Sequence, residues 1–268
     1  VATDGVDIVI HTAALKQVPA AEYNPFEAVK TNILGSQNVI DSAISSGVNK
    51  VIGLSTDKAA APINLYGATK LTSDKLFVSA NQYYAGHKTK LSVVRYGNVM
   101  GSRGSVIPFF MEQQKTGVFT ITDKRMTRFN ITLKEGVDFV LQCLERMCGG
   151  ETFVPKIPSY RITDIAKAIN EGCRMETVGI RPGEKLHEEM ITETDSLNTL
   201  EFNDYYVILS STQPHWDVSE YGEEKYKEES DKQPGKEVLE SFSYNSGTNK
   251  VFLSVNELRH LIKTELYV

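Results

Sequence analysis

Lys50-Val51-Ile52-Gly53-Leu54-Ser55-Thr56 is a short apolar run that ends in two hydroxylated residues. A run of this length that is apolar on both faces suits a parallel strand covered by helices. Asp57-Lys58-Ala59 follows, and Pro62 breaks the chain. Leu65-Tyr66-Gly67-Ala68-Thr69-Lys70 then opens a helical pattern continued by Leu71, Lys75, Leu76 and Ser79. The hydroxyls, the Asp-Lys step and the tyrosine therefore collect just past the carboxyl end of a strand, where open α/β sheets bind ligands.

The flanking sequence extends the same alternation. Asp7 to Ala14 reads as a buried strand running into a small-residue turn. Asn24-Pro25 starts a helix, with Asn as N-cap and Pro in the first turn. Phe26, Val29, Ile33, Ile40 and Ile44 keep its period until Gly47 ends it. Lys90 to Tyr96 is a third strand, leading into Gly97-Asn98-Val99. This βαβαβ order predicts a parallel sheet with right-handed crossovers. Downstream, helices are expected at Pro108 to Gln114, from Ile131-Thr132 with Val137, Val140, Leu141 and Leu144 facing the core, and at Ile162 to Ile169 with Thr163 as cap. Glu151 to Val154 reads as a strand, Arg181 to Glu188 as a turn entering a helix, and Leu253 to Leu266 as a closing helix. The acidic stretch 217–237 reads as a solvated loop. The expected fold class is α/β, a Rossmann-like doubly wound parallel sheet over 1–160 with a smaller substrate domain over 161–268.

Composition narrows the function classes. Hydrophobic residues make up 41% and charged residues 24% of the 268, as in ordinary globular chains. A net charge of −5 and the lack of a basic cluster argue against a nucleic-acid partner. Cys143, Cys148 and Cys173 have no metal-ligand spacing and read as reduced thiols of a cytoplasmic protein. No apolar run reaches the ~18 residues of a membrane span.

The cluster after the first-quoted strand carries the chemistry. A Tyr66-x3-Lys70 step puts both side chains on neighbouring turns of one helix, where the ammonium is expected to lower the phenol pKa and make a base. Such a step alone also occurs by accident on amphipathic helices. Lys58 could be a surface lysine after a strand, and Asp57 a cap or turn carboxylate. Together, two lysines, a phenol and a carboxylate supply the proton transfers of a redox-assisted elimination. No G-x-G-x-x-G loop for a dinucleotide occurs in the chain.

In order along the chain, the distinctive stretches are His11-Thr12-Ala13-Ala14-Leu15-Lys16, Ser55 to Ala59, Leu65 to Lys70, Arg95-Tyr96-Gly97-Asn98-Val99, Gly101-Ser102-Arg103-Gly104-Ser105, Arg125-Met126-Thr127-Arg128-Phe129 and Arg181 to Glu188. With these, the chain resembles the extended short-chain dehydrogenase/reductases, and within them the inverting UDP-N-acetylglucosamine 4,6-dehydratases that begin pseudaminic acid synthesis. Tyr66 stands where the membrane-anchored retaining relatives typically have Met. The resemblance implies that roughly seventy-five preceding residues, with the Gly-rich loop and the first strands, are absent here.

The resemblance also implies roles. Tyr66 is the base for a C4 hydroxyl and Lys70 holds the nicotinamide ribose. Lys58 takes a C5 proton, for which it must be neutral, and Asp57 is the acid for the C6 hydroxyl. Thr56 orients the sugar. NADP is the expected cofactor, with NAD left open, bound along Ala13, Ala14, Ser55, Tyr66, Lys70, Tyr96, Asn98 and Val99. Lys16, Asn98, Arg103, Val106, Thr122, Arg181, Glu184 and Ser246 are expected to bind the UDP-sugar. No metal and no membrane are implied, and relatives suggest a homo-hexamer. His11 and His187 read equally as packed or functional histidines. Two positions depart from the family pattern: Gln17 replaces His and Asn130 replaces Trp. The competing readings are a UDP-sugar 4-epimerase, which needs no C5 base, a non-catalytic NADP-binding sensor, and a piece inert in isolation.

Overall fold

The computed structural model describes residues 2–83, 86–210 and 235–266. In chain order its elements are β1 (Ile8–His11), α1 (Val18–Tyr23), α2 (Pro25–Val29), α3 (Gly35–Ser45), β2 (Lys50–Thr56), α4 (Leu65–Tyr83), β3 (Lys90–Tyr96), β4 (Asn98–Val99), α5 (Val106–Gln113), β5 (Val118–Ile121), β6 (Thr127–Ile131), α6 (Leu133–Arg146), β7 (Thr152–Pro155), β8 (Ser159–Arg161), α7 (Ile162–Ile169), β9 (Arg174–Thr177), β10 (Glu189–Ile191), α8 (Glu193–Ser196), β11 (Thr199–Glu201), β12 (Tyr205–Ile208), β13 (Lys236–Glu237), β14 (Tyr244–Asn245) and α9 (Val255–Leu266). A π turn at Lys30–Leu34 joins α2 to α3. Among the described residues no helix is long and apolar enough to cross a membrane.

The chain forms two units that interleave in sequence, so no single boundary near residue 160 divides it. One comprises Val1–Tyr96, Asp138–Lys156 and Met190–Ser243, and the other Gly97–Val137, Ile157–Glu189 and Tyr244–Val268.

In the first unit a seven-stranded sheet runs β1-β2-β3-β7-β12-β11-β13. β1, β2, β3 and β7 are parallel, and β12, β11 and β13 continue the sheet antiparallel. The apolar-on-both-faces reading of β2 is realised. Val51 and Val93 point into one core with Ile40, Phe77 and Leu91, and Ile52 and Val94 into another with Phe139, Phe153 and Val207. Each of these four strand residues is fully buried, worth about 1.5–3 kcal/mol apiece in transfer terms. β1 departs from expectation. It pairs only with β2, and Ile8 and Ile10 are 49% and 41% exposed, because in the described chain one edge of β1 has no neighbour.

Helix α4 buries one face along its whole length, through Tyr66, Thr69, Lys70, Ser73, Asp74, Phe77 and Ala80. That spacing is helical, but the first five of these side chains are polar, so the buried stripe is not the Leu71-Lys75-Leu76-Ser79 pattern read from sequence. Lys75 is exposed.

The second unit has its own core, built from Met100, Ile107, Phe110, Phe119, Ile121, Ile162, Ile165, Leu258 and Ile262. It contains the sheet β4-β6-β8 and the pair β5-β9. Several sequence expectations are corrected. Ile131 ends β6 rather than starting a helix. α6 begins at Leu133 behind Thr132, whose hydroxyl accepts from Glu135 N while the Glu135 carboxylate accepts from Thr132 N, a reciprocal capping box. Val137 and Leu141 are half exposed, since the helix turns its Phe139-Val140-Cys143-Leu144 face to the core. Thr163 lies inside α7, whose N-cap is Arg161. The Arg181–Glu188 turn leads into strand β10, not a helix. Of the stretch 217–237, Lys236–Glu237 is strand and the part before 235 lies outside the described residues.

Candidate active site

The end of β2 and the start of α4 are locked together by backbone proximity. Past Thr56 the chain makes a 3-10 turn at Asp57–Ala59. A Cβ on Gly67 would lie 2.2 Å from the Lys58 carbonyl oxygen. Only glycine lets the first turn of α4 approach the turn this closely. The Asn64 side chain accepts from Gly67 N at 2.8 Å and the Glu22 carboxylate from Leu65 N at 2.7 Å, satisfying two amides at the helix start.

This frame holds Thr56, Asp57 and Lys58 at the end of β2 and Tyr66 and Lys70 on the first turns of α4. The Lys58 ammonium donates to Asp57 Oδ1 at 3.1 Å, and the Thr56 hydroxyl donates to the same oxygen at 2.9 Å. Asp57 is fully buried, whereas the Lys58 side chain keeps 24% exposure. Lys70 is 4% exposed and donates to the Leu54 carbonyl at 2.7 Å.

The electrostatics differ from the sequence expectation. Burial pushes the Tyr66 phenol up to about 12, Lys58 pulls it down, Asp57 pushes it up, and a hydrogen bond with Thr56 pulls it down. The cation acting on the phenol is thus Lys58, not Lys70. Burial lowers Lys70 below the ordinary lysine range while Asp74 acts in the other direction. His11 is buried beside Phe77 and Ser36, and burial followed by the Lys70 charge lowers its pKa. It is a packed histidine behind the site.

The other expected residues separate by unit. Ala13, Ala14 and Lys16 are exposed just past β1. Asn32 holds that segment, accepting from Leu15 N at 2.7 Å and donating to Leu15 O and the Thr69 hydroxyl. The Ser55 side chain turns into the protein and donates to Asp74 at 2.7 Å, so only its backbone is left for a ligand. Tyr96 is half-buried with its pKa raised by burial.

Asn98, Val99, Arg103, Val106, Thr122, Arg181, Glu184 and Ser246 belong to the second unit. Arg103 and Arg181 are exposed and Glu184 is half-buried at its turn. Thr122 donates to the Met126 sulfur. Ser246 is corrected. It is fully buried, accepts from Glu188 N at 2.9 Å and shares a 2.8 Å hydrogen bond with the Thr127 hydroxyl, so it braces the loop rather than facing a ligand. His187 joins this brace through Nδ1 to the Thr127 hydroxyl at 2.8 Å. Asn130 is buried in register with Asn98. Sequence reasoning missed Asp74 and Arg95. The four-residue spacing of Lys70 and Asp74 was the available signal.

Residues 1–210 match a family described as polysaccharide biosynthesis protein. The chain is 51% identical over 264 residues to the UDP-N-acetylglucosamine 4,6-dehydratase (inverting) of Campylobacter jejuni, covering 96% of this chain and 76% of that protein. It is 40% identical over 272 residues to the UDP-glucose 4-epimerase of Rickettsia conorii, covering 100% and 76%. The X-ray structure of Pen from Bacillus thuringiensis superposes with a TM-score of 0.82 at 37% identity, covering 97% of this chain and 76% of that one. A parallel Rossmann-like sheet, a Tyr-x3-Lys helix after its second strand and these relatives lead to one assignment: the chain belongs to the polysaccharide biosynthesis protein family.

Proposed function

We propose that this chain catalyses the inverting 4,6-dehydration of UDP-N-acetylglucosamine. The observation that carries the reading is the Asp57–Lys58 ion pair, set on a buried turn against the Tyr66 phenol. A bare oxidoreductase or epimerase needs the phenol and Lys70 but has no use for a second acid and base at this point.

The residues fit a nicotinamide dinucleotide. Small, exposed Ala13 and Ala14 leave backbone accessible past β1, and Lys70 is a fixed ammonium one turn from Tyr66. Within the first unit, Tyr96 and the Ser55 backbone are the further candidates to hold its nicotinamide half. The resemblance favours NADP, with NAD open. Held there, such a cofactor would supply hydride acceptance at C4 and hydride return at C6.

The chain's own residues move the protons. Tyr66 Oη takes the C4 hydroxyl proton as a phenolate, the form that the Lys58 charge favours and burial opposes. Lys58 Nζ takes the C5 proton, and Asp57 protonates the C6 hydroxyl, which leaves as water. As an ammonium Lys58 has no lone pair to act as the base, and as a carboxylate Asp57 has no proton to act as the acid. One proton passing from Lys58 Nζ to Asp57 along their hydrogen bond makes the neutral amine and the carboxylic acid that the two roles require. Reprotonation of C5 from the opposite face inverts it. Thr56 orients the sugar, and Lys16, Asn98, Arg103, Val106, Thr122, Arg181 and Glu184 bind the nucleotide diphosphate and sugar, where cationic and amide donors match phosphate oxygens. A cytoplasmic homo-oligomer, hexameric by resemblance and acting at the start of pseudaminic acid synthesis, completes the proposal.

The second reading is a 4-epimerase, favoured by the 40% identity to a protein of that name. Incubating the protein made from the complete gene with UDP-N-acetylglucosamine separates the two. Loss of one water from the sugar nucleotide, seen by mass spectrometry, supports the dehydratase. An epimer of unchanged mass overturns it.

A further inference from the structure

Behind the proposed proton-transfer residues lies a buried ionic group that their chemistry does not use. Asp74 is 3% exposed and sits one turn beyond Lys70 on α4. Its Oδ2 accepts from the Ser55 hydroxyl at 2.7 Å and from Arg95 at 3.3 Å. Ser55 and Arg95 are direct partners across β2 and β3. One carboxylate therefore binds both members of a cross-strand pair at the carboxyl end of the sheet. Lys70 holds the carbonyl of Leu54, the residue before Ser55. The two side chains of α4 thus grip consecutive residues of β2, directly ahead of Thr56, Asp57 and Lys58. Arg95 also donates to the Met190 carbonyl at 2.9 Å and lies 3.6 Å from Asp195.

We infer that Asp74 is the positioning residue of this site: it fixes the β2 end against α4 through Ser55 and Arg95, and, buried one turn from Lys70 on the same face of α4, it is the counter-charge to that lysine. The inference rests on the proposed reading in which Tyr66 is the base and Lys70 holds the cofactor one turn away. Buried charges persist where they are paired, and removing one partner leaves the other uncompensated. Other titratable groups towards this end of the packed elements include Tyr66 on α4, His11 on β1, Asp57 and Lys58 on the turn after β2, and Arg95 and Tyr96 on β3, with Asp195 beside Arg95. Of these, Asp57 lies on the ion pair with Lys58, so Asp74 is the carboxylate that offsets the burial of Lys70.

The test follows the Lys70 ammonium by NMR in protein labelled with 13C-lysine, its signal assigned by loss in Lys70→Met. It needs neither substrate nor cofactor. Asp74→Asn lowers the Lys70 titration midpoint by about one pH unit or more, and Asp74→Glu restores part of the shift. Arg95→Met, which removes the competing cation, raises the midpoint and is read even if Asp74→Asn does not fold. Ser55→Ala leaves the midpoint in place but lowers turnover about tenfold through misplacement of the turn. A Lys70 midpoint unmoved in the folded Asp74 or Arg95 variants, or full turnover in Ser55→Ala, overturns the inference. Failure of the dehydratase reading would show separately, as no loss of water from UDP-N-acetylglucosamine with the unaltered protein.

Discussion

Lys58 Nζ lies 3.1 Å from Asp57 Oδ1, joining a partly exposed ammonium to a wholly buried carboxylate. Removing the lysine leaves that carboxylate short of a charged partner. Lys58→Ala is expected to destabilise the fold by about 1–3 kcal/mol and to lower dehydration by roughly 10²–10⁴-fold. Oxidation at C4 should still occur transiently. Urea unfolding and rapid-mixing absorbance of the reduced nicotinamide check the two effects. Normal turnover by this variant would remove Lys58 from the mechanism.

Tyr66 predicts an alkaline instability. Its phenol is pushed from 10.0 up to about 12 by burial. The folded chain therefore holds the proton more tightly than the unfolded chain. The resulting stability is complete below pH 10 and is lost as pH rises to about 12, amounting to about 2–3 kcal/mol. Tyr66→Phe should lack this part of the decline. Urea midpoints of the two proteins on either side of pH 10 measure the difference, and parallel declines would show that the phenol is not perturbed.

Gly67 tests the close approach of α4 to the catalytic turn. A Cβ there meets backbone, not a flexible side chain. Gly67→Ala improves helix propensity by about 1 kcal/mol yet must push the turn away. The expected result is a loss of activity larger than the loss of stability, read from kcat beside the thermal midpoint. Unchanged kcat would mean that the turn yields without consequence.

Asn32 makes hydrogen bonds to Leu15 N, Leu15 O and the Thr69 hydroxyl while almost fully buried. Asn32→Leu orphans the Leu15 backbone groups and should cost about 2–4 kcal/mol. Hydrogen exchange at Leu15 should accelerate with it. Protection of that amide at the original level would contradict the assignment.

Much of the parallel sheet was legible in sequence because its strands are short, apolar and bounded by turn residues. Lys50–Thr56 and Lys90–Tyr96 appear with the boundaries read from their residues. Reading failed where burial is polar. Ser73 and Asp74 look like solvent-facing residues of an amphipathic helix, but Ser73 meets Ser36 of α3, and Asp74 meets Ser55 of β2 and Arg95 of β3. α6 misled in the opposite sense. Val137 and Leu141 fit an apolar stripe, yet half their surface is exposed. Periodicity identifies a helix, but it does not choose among overlapping faces when apolar residues occupy more than one.

The sequence by itself determined the alternation of strands and helices, the place of Thr56-Asp57-Lys58 past a strand end and the spacing of Tyr66 and Lys70, because each depends on residues near one another in the chain. Tertiary structure decided which charges meet. It made Lys58 rather than Lys70 the cation acting on the Tyr66 phenol, and brought Ser55 and Arg95 from two strands onto one helix carboxylate, Asp74. Electrostatic energies depend on distance and on the exclusion of water, and both are set by how the elements pack.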